Sequence, residues 1–120
     1  MAKNLSISYL LDFYGQMLTE KQLEVTELYY NDDLSLAEIA ALSGITRQGV
    51  RDAIKRAEAQ LLEYEEKLGL ARRFVEIQAG LDEIIRCAQE ISIYNDKFHG
   101  PGEVQKRTAR ICELAAGLNE

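Results

Sequence analysis

The chain has 120 residues, of which 47% are hydrophobic and 28% are charged, as in folded rather than disordered proteins. Its net charge of −6 argues against a protein that coats nucleic acid without specificity. The sequence has no apolar run near the roughly 18 residues of a membrane span, and residues 1–15 lack a signal-peptide pattern. We therefore expect a cytoplasmic protein without membrane insertion.

Two helices are predicted before residue 34. The first runs from about Asn4 to Met17, where apolar residues recur at intervals of three and four positions: Ile7, Leu10, Leu11, Tyr14 and Leu18. Thr19 and Gln22 then form a capping box, which predicts a second helix through about Tyr30. The turn-forming residues 31–33, Asn-Asp-Asp, end that helix.

Residues 35–56 have the pattern of a helix-turn-helix. Ser35 and Glu38 form a capping box, in which each side chain satisfies a backbone donor at the start of a helix. Gly44 follows at the end of that helix, where the turn requires a backbone angle that a side chain opposes. Thr46 can then cap the next helix. This order of caps and glycine predicts two helices joined by a tight turn.

The second helix of this motif has an apolar side and a polar side. Val50 and Ile54 are four positions apart and predict the buried side. The other side has residue types that contact DNA, because arginine binds guanine edges or phosphates and glutamine binds adenine edges. Residues 44–57 contain four Lys or Arg and one Asp, a local charge of +3, so the rest of the chain carries −9. The predicted nucleic-acid-binding residues are Arg47, Gln48, Arg51, Asp52, Lys55 and Arg56.

The apolar spacing continues beyond the motif and predicts a long helix that ends near Gly69. Its apolar seam consists of Val50, Ile54, Ala57, Leu61, Tyr64 and Leu68. A second seam follows with Phe74, Ile77, Leu81, Ile84, Ala88 and Ile91. Residues 95–102, NDKFHGPG, break this helix, and a last apolar stripe follows with Val104, Thr108, Ile111, Leu114, Ala115 and Leu118.

An antiparallel hairpin about residues 95–102 is predicted to bring the last two stripes face to face. In the expected register, Ile91 lies opposite Thr108 and Cys87 lies opposite Cys112. In a reducing cytoplasm both cysteines are expected to be buried thiols. The two seams of the preceding helices exceed what a small helical unit can cover, which predicts a homodimer.

The residues needed for catalysis or metal binding are not grouped in the sequence. Asp32 and Asp33 have no further carboxylates at ligand spacing, and Cys87 and Cys112 have neither a CxxC partner nor clustered histidines. The single histidine, His99, lies in the predicted loop, and the sequence has no glycine-rich phosphate-binding motif. We therefore expect neither an enzyme nor a protein that holds a cofactor or a metal ion.

Four blocks of the sequence resemble the YlxM family of small bacterial helix-turn-helix proteins. They lie between residues 10 and 70, in the order LLDFYGQMLTEKQ, ELYYNDDLSLAEIA, TRQGVRDAIKRAE and LLEYEEKLGL. The resemblance implies a helix-turn-helix similar to region 4 of bacterial sigma factors, with residues 47–56 as its recognition helix. It also implies a regulatory role associated with the signal recognition particle pathway.

The residue patterns and the resemblance together predict an all-α protein. A helix-turn-helix domain with a long recognition helix is expected at residues 1–70, followed by a C-terminal helical hairpin at residues 71–120. The predicted function is non-enzymatic regulation through binding of DNA or RNA. The alternative is a protein-interaction adaptor that docks on a protein component of the signal recognition particle, which the surplus of acidic residues and the apolar hairpin favour.

Overall fold

The computed structural model describes residues 3–119, and these residues form six α-helices. The helices are α1 (Ser6–Tyr14), α2 (Glu20–Tyr30), α3 (Leu36–Ser43), α4 (Arg47–Leu68), α5 (Leu70–Lys97) and α6 (Gly102–Leu118). Residues 3–119 contain no β-strand, in agreement with the predicted all-α class. The chain divides into two compact units, Met1–Ala71 and Arg72–Glu120, which we call the N-terminal unit and the C-terminal unit.

The helices of the N-terminal unit begin at the predicted capping residues. The Thr19 hydroxyl accepts a hydrogen bond from the Gln22 amide at 3.2 Å, and the Gln22 side chain accepts one from the Thr19 amide at 3.1 Å. Ser35 and Glu38 make the same exchange, with both distances at 3.1 Å. Helix α1 is shorter than predicted. It ends before Gly15 because glycine is a poor helix former, and residues 15–17 form a 3-10 turn instead.

Two clusters of buried side chains hold the N-terminal unit together, and α4 contributes to both. The first joins α1 to the middle of α4 and contains Ile7, Leu10, Leu11, Tyr14, Leu18, Ala57, Leu61 and Ala71. The second joins α2, α3 and the first half of α4 and contains Val25, Tyr29, Ile39, Val50 and Ile54. The first predicted seam is therefore buried within this unit over most of its length. The prediction that this seam contributes to a dimer surface was wrong.

Tyr14 and Glu65 fix the turn between α4 and α5. The Tyr14 hydroxyl donates to Glu65 Oε1 at 2.7 Å and accepts from the Leu70 amide at 2.9 Å. Glu65 Oε1 also accepts from the Ala71 amide at 3.0 Å, so two amides at the start of α5 are satisfied by side chains. Burial, and then the hydrogen bond to Glu65, raises the pKa of Tyr14 above its ordinary value.

Replacing Tyr14 by Phe is expected to lower the free energy of unfolding by about 1–3 kcal/mol. Loss of the hydroxyl leaves the Leu70 amide and the Glu65 carboxylate with one partner fewer in a part-buried site. Tyr9→Phe is the matched control, because Tyr9 lies on the same helix with a larger exposed fraction, and its expected change is within about 0.5 kcal/mol. Urea denaturation measures both. Equal losses would contradict a special role for Tyr14.

The C-terminal unit is an antiparallel hairpin of α5 and α6, as predicted, and its loop depends on Asn95 and Gly100. The Asn95 side-chain amide donates to the Pro101 carbonyl at 3.0 Å, and the Gly100 amide donates to the Asn95 carbonyl at 2.8 Å. A Cβ at Gly100 would lie 1.8 Å from Asn95 Oδ1, so only glycine fits this position without a shift.

The hydrogen bonds between α5 and α6 lie on both sides of the predicted register. Asn119 Nδ2 donates to Asp82 Oδ1 at 2.9 Å, where the predicted register places residue 117 opposite Asp82. Gln105 Nε2 donates to the Ser92 carbonyl at 2.9 Å, where the predicted register places residue 107 opposite Ser92. Cys112 Sγ makes a weak 3.8 Å hydrogen bond to the Ile85 carbonyl. These offsets of two residues in opposite directions agree with the predicted register to within about half a helical turn. Apolar spacing did not predict the side-chain bonds that join the two helices.

The contact between α5 and α6 buries the smaller residues of the predicted stripes and leaves the larger ones partly exposed. Ala88, Thr108 and Ala115 are buried, whereas Ile84 and Ile91 of the predicted seam remain about half exposed. Small side chains let two helices approach closely, so the contact line passes beside the isoleucines rather than through them. The expectation of two buried cysteines was also wrong, because the thiol of Cys87 is exposed and that of Cys112 is only partly buried.

Candidate nucleic-acid interface

The turn between α3 and α4 has the geometry that the sequence predicted. Gly44 has a φ of 69°, in the left-handed region that favours glycine. The Thr46 hydroxyl accepts a hydrogen bond from the Gly49 amide at 2.9 Å and caps α4. A Cβ at Gly49 would lie 3.2 Å from the Thr46 hydroxyl, so this residue also allows the cap to approach closely. As a result, α4 begins at Arg47 in a fixed direction.

The orientation of α4 about its axis is set by its buried side. Val50 and Ile54 are completely buried, and they pack with Val25 and Tyr29 of α2 and with Ile39 of α3. Because these apolar contacts fix one side of the helix, the residues on the opposite side face solvent. The structure places all six predicted binding residues on exposed positions of α4: Arg47, Gln48, Arg51, Asp52, Lys55 and Arg56.

The six residues form two ridges along α4. Residues four positions apart lie above one another on a helix, so Arg47, Arg51 and Lys55 form a basic ridge. The neighbouring ridge contains Gln48, Asp52 and Arg56. At the start of α4, three of these side chains line a shallow groove of about 300 Å³ together with Leu36, the first residue of α3: Arg47, Gln48 and Arg51.

Among the described residues, the four cations at positions 47–56 of α4 lack acidic partners, whereas many other cations, including Lys67 near the end of α4, have one. Among residues 3–119, no carboxylate forms an ion pair with Arg47, Arg51, Lys55 or Arg56. Elsewhere, ion pairs join Lys3 to Asp33, Lys21 to Glu24, Lys67 to Glu63, Arg86 to Glu83, Arg107 to Glu103 and Arg110 to Glu113. The positive charge at the start of α4 is thus available to an anionic ligand.

Gln48 and Asp52 are joined to each other. Gln48 Nε2 donates to Asp52 Oδ1 at 2.9 Å, one helical turn away. One N–H of the Gln48 side chain is therefore committed to Asp52, while its second N–H and its carbonyl oxygen remain available to another group. Apart from the four-residue spacing, no sequence pattern predicts this bond.

The family relationship follows from comparison with known proteins. A family model, UPF0122, described as "Putative helix-turn-helix protein, YlxM / p13 like", matches residues 1–100. The chain belongs to the UPF0122 family. This membership confirms the resemblance to the YlxM proteins and accounts for the helix-turn-helix at α3 and α4.

Several UPF0122 proteins are similar to this chain over most of its length. A relative from Thermoanaerobacter sp. (strain X514) is 54% identical over 115 residues, which cover 96% of this chain and 95% of the relative. A relative from Acetivibrio thermocellus is 47% identical over 114 residues, or 95% of this chain and 97% of the relative. A relative from Clostridium novyi is 44% identical over 97 residues, or 81% and 84%.

The UPF0122 description names a helix-turn-helix and no catalytic activity. Among residues 3–119, no three His, Cys, Asp or Glu side chains come together in a group that could hold a metal ion. Within the same residues, no helix is long and apolar enough to cross a membrane.

Sequence reasoning missed Leu36 as part of this surface. Leu36 follows the cap of α3, and spacing alone assigned it to the helix without indicating that it borders the groove beside Arg47 and Arg51. A general signal was available, because the first helix of a helix-turn-helix meets the start of the second.

Proposed function

We propose that this protein is a non-enzymatic regulator that binds nucleic acid through the exposed side of α4. The observation that supports the proposal is a group of cations without acidic partners on one side of α4. The opposite side of this helix is buried in the helix-turn-helix core. The binding residues in this proposal are the six identified above: Arg47, Gln48, Arg51, Asp52, Lys55 and Arg56. Family membership supports the proposal, because UPF0122 proteins are described by this same motif.

The residues of the two ridges have different roles in this proposal. Arg47, Arg51 and Lys55 contact phosphates or guanine edges, because their charges are unpaired and lie along one line. Gln48 contacts an adenine edge with its second N–H and its carbonyl oxygen. Arg56 lies farther along α4 and contacts the phosphate backbone. Acidic surroundings weaken every one of these contacts, so the affinity for random sequences is expected to be modest.

Duplex DNA suits the geometry of α4 better than duplex RNA. The major groove of B-form DNA is about 12 Å wide and admits a helix, whereas the major groove of A-form RNA is too narrow for side chains to read. An RNA ligand would instead be contacted at loops or along its backbone. The YlxM resemblance adds the proposal that the regulated process is protein targeting by the signal recognition particle, in the cytoplasm.

A second candidate function is an adaptor that docks on a protein component of the targeting particle. The observation that favours it is the set of half-exposed isoleucines in the C-terminal unit, on a chain whose net charge is −6. An apolar contact of this kind is insensitive to salt, whereas binding to phosphates releases counterions and weakens as salt rises.

A salt titration distinguishes nucleic-acid binding from the adaptor function. The measurement is the fluorescence anisotropy of labelled duplex DNA with the full chain, at several salt concentrations. Up to four phosphate contacts by the α4 cations predict a slope of log K against log [salt] of about −3 to −4. A slope near zero, or no binding at low salt, would contradict nucleic-acid binding through these cations.

Replacing Asp52 by Asn is expected to raise the affinity for duplex DNA about fivefold. The change removes a negative charge beside the phosphates, a repulsion of about 1 kcal/mol at contact distance in water, while Asn can still accept the Gln48 hydrogen bond. Asp96→Asn, on the C-terminal unit, is the matched control and should leave affinity unchanged. The same anisotropy assay measures both variants. Equal gains would indicate an effect of net charge rather than of position.

A further inference from the structure

The C-terminal unit exposes an apolar face to which both of its helices contribute. Ile77, Ile84 and Ile91 recur every seven residues on α5, and they are 45%, 48% and 52% exposed. Ile111 and Leu118 are likewise seven residues apart on α6, and they are 41% and 71% exposed. Ile84, Ile91 and Ile111 line one groove of about 250 Å³, so the two stripes lie on the same side of the hairpin.

The spacing of this face indicates a helical partner. A seven-residue repeat keeps apolar side chains facing another helix over many turns, and a solvated helix surface has no need of it. The contact between α5 and α6 is made by other residues than these isoleucines, because Ala88, Thr108 and Ala115 are the ones buried there. The isoleucines are thus surplus to the packing of the hairpin, and a partner that covers them removes apolar area from water.

The charged residues beside the apolar face are acidic on α5 and basic on α6, and they indicate which partner can bind there. Glu76, Glu83 and Glu90 precede the three isoleucines of α5 by one position each and share their seven-residue repeat. On α6, Arg107 and Arg110 lie next to the stripe of Ile111. All five charged residues are exposed. Their ion pairs within the helices are exposed and weak, so these side chains remain free to exchange partners.

We propose that the partner is a second copy of this chain, docked hairpin to hairpin in an antiparallel four-helix bundle. In this arrangement α5 of each copy packs beside α6 of the other, so that the glutamates of one helix face the arginines of the next. Residues 72–120 contain seven Lys or Arg and eight Asp or Glu, a net charge of −1 that hardly repels a second copy.

The dimer rests on the C-terminal unit alone and does not depend on nucleic-acid binding. If α4 binds DNA as proposed, two copies of α4 in one two-fold assembly match a two-fold related pair of half-sites. Each copy contributes the same face to the interface, as in most homodimers. Failure of the dimer would leave the nucleic-acid proposal standing, because the two are measured by different experiments.

Sedimentation equilibrium of the full chain tests the apolar face. The wild-type protein is expected to be a dimer at tens of micromolar. Ile84→Glu combined with Ile91→Glu should raise the dimer dissociation constant on the order of a hundredfold or more, because each change places an unpaired charge in the interface. Ile93→Glu is the matched control, since Ile93 is 69% exposed on the same helix and lines a different groove, beside Gln89 and Ser92.

The Ile93→Glu control should remain a dimer. Circular dichroism should show unchanged helix content in all variants, because every altered position is exposed. If the wild-type protein were monomeric, the proposal would be wrong, and the apolar face of the C-terminal unit would bind a different partner. The proposal would equally fail if the control dissociated as much as the double variant, or if the double variant stayed dimeric.

A charge exchange tests the arrangement of the four helices. Glu83→Lys with Glu90→Lys places like charges beside the arginines of α6, and Arg107→Glu with Arg110→Glu does the same in reverse. Each double variant alone should shift toward monomer, and an equimolar mixture should recover the dimer as a heterodimer. If the mixture stayed monomeric, α5 of one copy would not lie beside α6 of the other.

Discussion

Replacing Ile54 by Ala is expected to lower the free energy of unfolding by about 2–5 kcal/mol. Ile54 is completely buried between α2, α3 and α4, where it packs with Val25, Ile39 and Val50. The alanine loses the transfer free energy of the removed carbons and leaves a cavity beneath the helix-turn-helix. Since small domains are stable by only about 5–15 kcal/mol, this loss is a large share of the total.

The matched control for Ile54 is Leu62→Ala. Leu62 lies on the same helix but is about half exposed, so its truncation is expected to cost within about 0.5 kcal/mol. Urea denaturation followed by circular dichroism measures both variants. If Leu62→Ala cost as much as Ile54→Ala, the buried side of α4 would have been assigned to the wrong residues.

Replacing Arg51 by Glu is expected to weaken binding of duplex DNA by about 1–3 kcal/mol, the range of one specific contact. Arg51 is the middle cation of the basic ridge, and it lines the groove at the start of α4. The substitution removes a favourable contact and adds a repulsive one. Stability should be nearly unchanged, because Arg51 is exposed and glutamate is a good helix former.

Arg73→Glu makes the same change of charge on an exposed position of α5, outside the motif. It is expected to leave DNA affinity almost unchanged, and thermal melting of both variants controls for folding. Equal losses in the two variants would indicate diffuse electrostatics instead of a defined surface. If neither variant lost affinity, the adaptor function would be favoured.

The fold of the N-terminal unit could be predicted because its signals are local. Thr19, Ser35 and Thr46 cap helices through bonds to residues three positions away, and Gly44 supplies the left-handed turn. Each of these signals needs only a few neighbouring residues, so a single sequence is sufficient to read it. The buried positions of α4 followed from the same periodicity.

The contact between α5 and α6 could be predicted only in part, because it depends on residues distant in the sequence. Spacing predicted the hairpin and placed Ala88 on its contact line, but it also placed Ile84 and Ile91 there, and these remain about half exposed. The structure buries Ala88, Thr108 and Ala115, and a hydrogen bond from Gln105 to the Ser92 carbonyl joins the two helices. A hydrogen bond across thirteen residues has no signature in local periodicity.

The exposure of the six binding residues followed from the helix pattern, but their interactions did not. The bond between Gln48 and Asp52 and the groove beside Leu36 depend on side-chain positions that spacing does not determine. Within residues 3–119, the four cations at positions 47–56 lack carboxylate partners on a chain with 20 acidic residues, and this likewise became visible only in three dimensions. Nucleic-acid contact by these residues stays a prediction.

The most direct test of binding through α4 is amide chemical-shift mapping of the isotope-labelled full chain with a duplex DNA selected by the protein from a random pool. The largest shifts are expected at residues 46–56, with smaller ones at the start of α3 near Leu36. Shifts confined to the C-terminal unit, or a selection that enriches no sequence and yields no shifts, would contradict nucleic-acid recognition by this helix.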